Sequence, residues 1–431
     1  CEAYYKPYEK DQLRTVFSLS KTFTSMAIGI ADGEGKINLD EKITDLFAEE
    51  IEKGQIPVGK ELASLTIRHL LRMSTGQEHE PNRGESDWND MATAFLSTPF
   101  HEMPGEVFRY NSMATYMLSA SLKKKEIDLE EYLEEKLLTP MGISGTRWLR
   151  DPRGICTAGF GFSLYPEVIA KLGQMILQGG MWNGKQLVPK TYIEMATSKQ
   201  IENGDDPASD WAQGYGYQMW RCKNNAVRGD GMYGQFCMIH KETDTVLAMT
   251  AVTGDMQGEM NVYYEEVLLH YQDQPLAEDE EAMKALNKCL ADLHYTRPLP
   301  EDDGSKLPEK LKKLELPLAD FFDLTLSCEN DLITLTDKAG EVRYLAGRGE
   351  WKKTCRKVHC TPLYTKKDQV DTPVIGAWGM KNGSLVIKVY EIEMLEEDTL
   401  TLTPEEDGVQ VKLVNTTIPS RSNEYISTVI Q

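Results

Sequence analysis

Ser18 and Lys21 lie three residues apart in the run Phe17-Ser18-Leu19-Ser20-Lys21-Thr22-Phe23-Thr24, a spacing that places a hydroxyl and an amine on one face of a helix. Burial would give the pair a chemistry. A desolvated ammonium loses its proton more readily, and the neutral amine can then take the serine proton and leave a nucleophilic oxygen. Apolar residues recur at Phe23, Met26, Ala27 and Ile30, the spacing of a helix that ends near Gly33 and Gly35. This pattern predicts Ser18 in the first helical turn, where the helix amino terminus favours developing negative charge. A second pair with the same spacing, Ser121 and Lys124, lies in the cationic run Ser121-Leu122-Lys123-Lys124-Lys125. It reads as a solvated helix end with nothing to bury the amine, and it is set aside.

A nucleophilic serine also needs a proton carrier, oxyanion donors and a surface that fixes the substrate. Tyr110 stands in Pro104-Gly105-Glu106-Val107-Phe108-Arg109-Tyr110-Asn111-Ser112, a loop leading into an apolar helix, where a nearby ammonium would lower its pKa. A packed tyrosine with a satisfied hydroxyl is the plainer account. The run Arg228-Gly229-Asp230-Gly231-Met232-Tyr233-Gly234-Gln235 reads as a glycine-rich strand edge whose N–H groups a substrate can approach. A bulged edge strand explains it equally well.

Several elements must position these residues. Thr66–Met73 and Asn111–Leu122 read as helices, the first closed by Gly76. From Gly214 the pattern becomes that of an antiparallel meander, with strands at Tyr215–Cys222, Gln235–His240 and Thr245–Val252 and a helix at about Asn261–Tyr271 lying on the sheet. Residues 274–314 are charged and marked by Pro298, Pro300 and Pro308, with one amphipathic helix near Glu278–Leu293, and read as a linker. Short alternating runs from Glu315 onward, separated by turns at Lys338–Gly340, Asn382-Gly383 and Asp407-Gly408, predict a small antiparallel barrel or sandwich. The expected division is therefore 1–273, 274–314 and 315–431.

Composition narrows the partners. The chain has 431 residues, 41% of them hydrophobic, enough to bury a large core, and a formal charge of -21 that disfavours nucleic acid and anionic membrane surfaces. No apolar run approaches the roughly 18 residues of a membrane span. The eight cysteines, at 1, 156, 222, 237, 289, 328, 355 and 360, lack metal-ligand spacing, so neither zinc nor a cofactor is expected. Cys355 and Cys360 could pair, although free thiols are the simpler state. The chain opens on Cys1 with no visible signal segment. That leans towards a cytoplasmic location and an amino end that has been trimmed.

Taken in order, "FSLSKTFTSMAIGIADGEGKINLDEKI", "LTIRHLLRMSTG", "PGEVFRYNSMATYMLSA", "LLTPMGISGTRW", "LGQMILQGGMWNGKQLVPK" and "GDGMYGQF" resemble the serine β-lactamase and penicillin-binding protein family, in particular the class C-related esterases and D-peptidases. The resemblance covers roughly residues 4–270. It implies an α+β fold, with a helical cluster packed on an antiparallel sheet, and acyl-enzyme hydrolysis of small esters, D-amino-acid amides or short peptides. It also implies Ser18 as nucleophile, Lys21 as its proton acceptor and Tyr110 as the shuttle to the leaving group. Ser112, Asn111 and Asp230 would contact substrate, and the Gly231–Met232 edge, most directly the Met232 N–H, would join the Ser18 N–H in holding the oxyanion. Two positions depart from the family pattern. Ser112 stands where an Asn is usual, and Gly229 or Asp230 where Lys or His is usual, which implies weak activity on β-lactams and a preference for neutral or amine-bearing substrates if Asp230 faces the pocket. A non-catalytic ligand-binding relative and a true β-lactamase are the competing readings. A working role for the β domain would rest on Trp351 and Trp378 alone, which read as core. Family members also carry a helix and strand ahead of the segment "YYKPY", without which the sheet would have an open edge.

Overall fold

The computed structural model describes the chain except for residues 82–87, 295–297, 319–321, 359–369, 394–395, 416–424 and 430–431. It forms two compact units, Lys10–Asp279 and Cys1–Glu9 together with the described residues from Glu280 onward. In the first, helix α1 (Ser20–Gly33) is the central element. Met26, Ala27, Ile28 and Ala31 are fully buried, and even its polar residues Ser20, Thr22, Thr24 and Ser25 are enclosed. Such an all-round enclosed helix can bury an amine on any face.

Ser18 itself is not in the first α-helical turn, as its spacing suggested, but on a separate 3₁₀ turn, Phe17–Leu19, that precedes α1. Phe17 adopts a left-handed φ of +47°, which swings the chain out of the short strand β1 (Arg14–Thr15) and into the turn. Helix α3 (Ser112–Lys124) packs beside α1 and helix α2 (Ile67–Leu71) against α3, each started by a side-chain cap, Asn111 and Thr66 respectively. Strand β1 forms a small antiparallel sheet with β2 (Arg147–Trp148) and β3 (Phe162–Leu164), in the order β1-β3-β2.

The second sheet of this unit is an antiparallel meander of β4 (Trp220–Arg221), β5 (Val227–Gly231), β6 (Gln235–His240) and β7 (Thr245–Met249). Only two residues of the strand expected at Tyr215–Cys222 form it. The chain bends there because Gln218, at φ +60°, turns its amide inward and donates to the carbonyls of Leu70 and Leu71 at 3.0 and 2.9 Å. Helix α4 (Pro166–Leu177) covers one face of the sheet at Gly173, against Cys237 and Val246. Helix α5 (Met256–Val262), shorter and earlier than expected, covers the other at Phe236 and Met238, and the chain continues through a wide turn at Tyr263–Val267.

Alternation along β5 fixes what each of its residues meets. A Cβ at Gly229 would run into Thr22 Oγ1 and Leu19, and one at Gly231 into the carbonyl oxygen of Val16. Both glycines therefore let the strand press against the turn that carries Ser18. Arg228 and Asp230 pair with Met238 and Phe236 and share their face, the α5 side of the sheet.

The second unit is an antiparallel sheet of β8 (Lys313–Leu318), β9 (Phe322–Glu329), β10 (Leu332–Asp337), β11 (Val342–Arg348), β12 (Lys352–Val358), β13 (Val370–Lys381), β14 (Ser384–Glu391), β15 (Glu396–Glu405), β16 (Gly408–Asn415) and β17 (Tyr425–Val429). Its order is β8-β9-β10-β11-β13-β14-β15-β16-β17, with β12 paired to β13 and a parallel pairing of β11 with β13. The outer strands β8 and β17 approach each other, giving a near-barrel around Leu326, Ile333, Trp378, Leu385, Ile387 and Leu402. Asn382 and Gly383 take left-handed φ values of +51° and +81° and make the β13–β14 hairpin turn their sequence demands. The amino-terminal segment belongs to this unit, with Tyr8 packed beside Ile375, Tyr390 and Ile392 and its hydroxyl hydrogen-bonded to that of Tyr390. An exposed helix, α6 (Glu280–Asp292), precedes the sheet. Cys355 is free and Cys360 lies outside the described residues.

Candidate active site

Lys21 is 2% exposed, and its Nζ lies 3.0 Å from Ser18 Oγ, 3.2 Å from Ser112 Oγ and 2.7 Å from the carbonyl oxygen of Gly159. Three neighbours suit a neutral amine. Its two hydrogens can go to Gly159 and Ser112, which leaves a lone pair facing the Ser18 hydroxyl. Burial drives the Lys21 pKa down to about 7, against the opposing pull of the Glu80 and Asp230 carboxylates. The pair thus has both the reach and the proton affinity that general-base activation requires near neutral pH. Gly159 is glycine because a Cβ there would sit 2.8 Å from the Ser112 carbonyl oxygen and 3.5 Å from Lys21 Nζ.

Tyr110 stacks on Trp220 with ring centroids 5.5 Å apart, and Lys21 Nζ lies 4.8 Å from the centre of the tyrosine ring. Its hydroxyl is near enough to Ser18 for that side chain to act on its ionisation. The expected lowering of its pKa is reversed. Although the residue as a whole is 38% exposed, desolvation of its hydroxyl and the Asp230 carboxylate push it well above the ordinary tyrosine value, outweighing the influence of Ser18, and a lysine near pKa 7 supplies little lasting positive charge to oppose them. Tyr110 is therefore a protonated donor at neutral pH.

Ser112 begins α3 with its hydroxyl on Lys21. Asn111 does not reach the cleft as the sequence reading placed it. Its amide oxygen accepts the Ala114 N–H at 3.1 Å, its amide nitrogen donates to Gln77 at 3.2 Å, and the residue is 2% exposed. Capping of α3 consumes this side chain.

Asp230 also differs from the pocket-facing residue considered above. Its Oδ2 accepts from Arg228 Nε at 2.9 Å on the α5 side of the sheet, although its charge still acts on Lys21 and Tyr110. Arg228 is fully buried, donates to the carbonyl oxygen of Asp210 at 2.8 Å and lies over Trp211 and Trp220. It forms a layer behind Tyr110 and is not an exposed cation in the cleft.

Gly231 and Met232 close the site on the opposite side. The Phe17 and Tyr233 rings meet edge to face at 5.7 Å, holding the β5–β6 turn against the turn that carries Ser18. Met232 is 55% exposed, and its carbonyl oxygen accepts from Gln235 at 3.1 Å. The other Ser-x-x-Lys pair is not assembled: Ser121 donates to the Met117 carbonyl oxygen at 2.6 Å and Lys124 pairs with Glu50 at 2.6 Å.

Two participants escaped the sequence reading. The Gly159 carbonyl is a backbone group, so no side-chain motif announces it, although the glycines at 159 and 161 mark a close approach. Glu80 accepts the Ser112 N–H at 2.8 Å and acts electrostatically on Lys21 and Tyr110. It lies 30 residues before Tyr110 in a loop without recognisable spacing.

A helical cluster on an antiparallel sheet, with a buried lysine on a serine and a tyrosine above both, is the arrangement of the penicillin-recognising serine hydrolases. The Beta-lactamase family model matches residues 2–270, and the chain belongs to that family. It is 24% identical over 271 residues to a 6-aminohexanoate-dimer hydrolase of Paenarthrobacter ureafaciens, covering 57% of this chain and 68% of that protein. A putative 6-aminohexanoate-dimer hydrolase from Bacillus anthracis superposes with a TM-score of 0.53 at 20% identity, over 63% of this chain and 76% of that one. The octameric penicillin-binding protein homologue from Pyrococcus abyssi matches over 96% of this chain and 88% of its own, with 15% identity and a TM-score of 0.46. Among the described residues no helix is long and apolar enough to cross a membrane.

Proposed function

We propose that this serine hydrolase cleaves small esters and amides, D-amino-acid amides and short peptides among them, through an acyl-enzyme on Ser18. The observation that carries the reading is the buried Lys21 amine, lowered to about pKa 7 and 3.0 Å from Ser18 Oγ. Ser18 Oγ bonds to the substrate carbonyl carbon as its proton passes to Lys21. The backbone N–H groups of Ser18 and Met232 receive the oxyanion, each such donor being worth about 3 to 4 kcal/mol. When the carbon–leaving-group bond breaks, Tyr110 hands a proton to the departing nitrogen or oxygen and is reprotonated from Lys21. Water then attacks the ester, giving up its proton along the same path, and the carboxylic acid leaves.

The intact Ser18–Lys21–Tyr110 geometry weighs against a non-catalytic binding role. Weak β-lactam turnover follows from charge. A β-lactam carboxylate needs an accessible cation, and here Arg228 is buried on Asp230 while Glu80 adds negative field. Treatment with a fluorophosphonate and with a fluorescent penicillin, followed by peptide mapping, tests the proposal. Modification at Ser18, stronger with the fluorophosphonate and lost in Ser18→Ala, is the expected result. No adduct at Ser18 with either reagent would overturn it.

A further inference from the structure

Among the described residues, two carboxylates near the cleft are held by guanidinium groups and Glu80 is not. Asp230 is held by Arg228 at 2.9 Å, Glu102 by Arg109 at 2.5 Å, and Glu78 faces His101 at 3.5 Å. Glu80 is exposed, and among the described residues its one hydrogen bond is the 2.8 Å contact from the Ser112 N–H to Oε2, with no cation at ion-pair distance. That bond fixes the carboxylate beside Ser112, whose hydroxyl touches Lys21. It leaves Oε1 without a partner among the described residues. The position matters because it is close enough for its charge to be felt at both Lys21 and Tyr110. A fixed carboxylate with an open oxygen next to the reacting groups recognises a group that donates hydrogen bonds and carries positive charge.

We propose that Glu80 is the specificity-determining residue of the cleft, receiving the ammonium group of an amine-bearing amide or ester while Ser18 attacks its carbonyl. The inference rests on the hydrolase reading above and names the substrate class within it. Asp230 contributes field, but it lies on the α5 side of the sheet with its Oδ2 taken by Arg228, so the direct contact falls to Glu80. Neutral analogues of the same length lose that contact and keep the rest of the site.

Binding without turnover separates this proposal from the hydrolase reading. The Ser18→Ala chain is titrated calorimetrically with two pairs of linear amides, each pair differing only in a terminal ammonium or methyl group. One pair carries it on the acyl half, the other on the amine half. In one pair at least, the ammonium member is expected to bind 10-fold or more tightly than its methyl partner, with a preference that shrinks as salt is added. Adding Glu80→Gln, whose amide oxygen can still accept from Ser112, is expected to erase the preference while the methyl compounds change less than twofold. Equal affinities in both pairs, a preference that survives Glu80→Gln, or an equal loss on ammonium and methyl members would overturn the proposal. Failure of the hydrolase reading would appear separately, as absent labelling of Ser18 in the parent chain.

Discussion

At acid pH Lys21 carries a proton and cannot accept that of Ser18, so under the proposed mechanism the free enzyme loses its base as pH falls through about 7. The expected kcat/KM profile on a neutral ester rises tenfold per pH unit below that value and levels above it; a profile flat from pH 5 to 8 would contradict the assignment. The same shift affects stability. Between the ordinary lysine value of 10.5 and about 7 the unfolded chain binds more protons than the native one, so this residue's contribution grows as pH rises through that window and is smallest below it. Lys21→Met should flatten that slope in chemical denaturation while lowering turnover about 10² to 10⁴-fold. Tyr110 makes a different prediction, because it keeps its proton. Tyr110→Phe should reduce hydrolysis of alkyl amides, whose leaving nitrogen must be protonated, about 10² to 10⁴-fold, and that of 4-nitrophenyl esters far less. Equal losses on both would remove the tyrosine from the leaving-group step.

At the scale of elements, the site depends on how closely β5 approaches the turn before α1. Gly229 has no room for a methyl group against Thr22 and Leu19, so Gly229→Ala should cost about 1 to 3 kcal/mol by overpacking. Because the displaced strand carries the β5–β6 turn, kcat should fall further than the stability loss accounts for, which thermal unfolding and turnover measured on the same preparation would establish. This requirement was only half legible in the sequence. Glycines at 229, 231 and 234 announced a close backbone approach, expected to be that of a substrate, and in the structure Gly229 and Gly231 press against the turn that carries Ser18. The helix beginning at Ser112 was readable from its apolar spacing, whereas Asn111 was expected to contact substrate and only the fold shows its side chain capping α3. The strand expected at Tyr215–Cys222 failed because Gln218 is worth more bonded to Leu70 and Leu71 than left in a ladder.

Across the whole molecule, the two largest apolar cores of the described residues, one in each unit, imply two cooperative units. One surrounds α1 and the other surrounds Trp378, which is fully buried and donates its indole N–H to the Asp331 carbonyl oxygen at 2.9 Å. Trp378→Ala should destabilise the second unit by about 3 to 5 kcal/mol. Calorimetry is expected to show one transition lowered and the other, together with fluorophosphonate labelling of Ser18, unchanged. A single transition that shifts as a whole would show the two cores to be coupled.

Chain-local physics determined much of this protein from its sequence: the serine and lysine at helical spacing, the tyrosine ahead of an apolar helix, the Asn382-Gly383 hairpin and the change from helical to alternating patterns. Each depends on residues within one or two turns of each other. The tertiary structure decided the properties that depend on distant neighbours. Enclosure of Lys21 by Ser112 and Gly159 sets its proton affinity, and desolvation cannot be read from a spacing. Strand parity on β5 turned Asp230 towards Arg228, and packing of residues 77–80 against the start of α3 brought Glu80, unannounced by any motif, to the edge of the catalytic cleft.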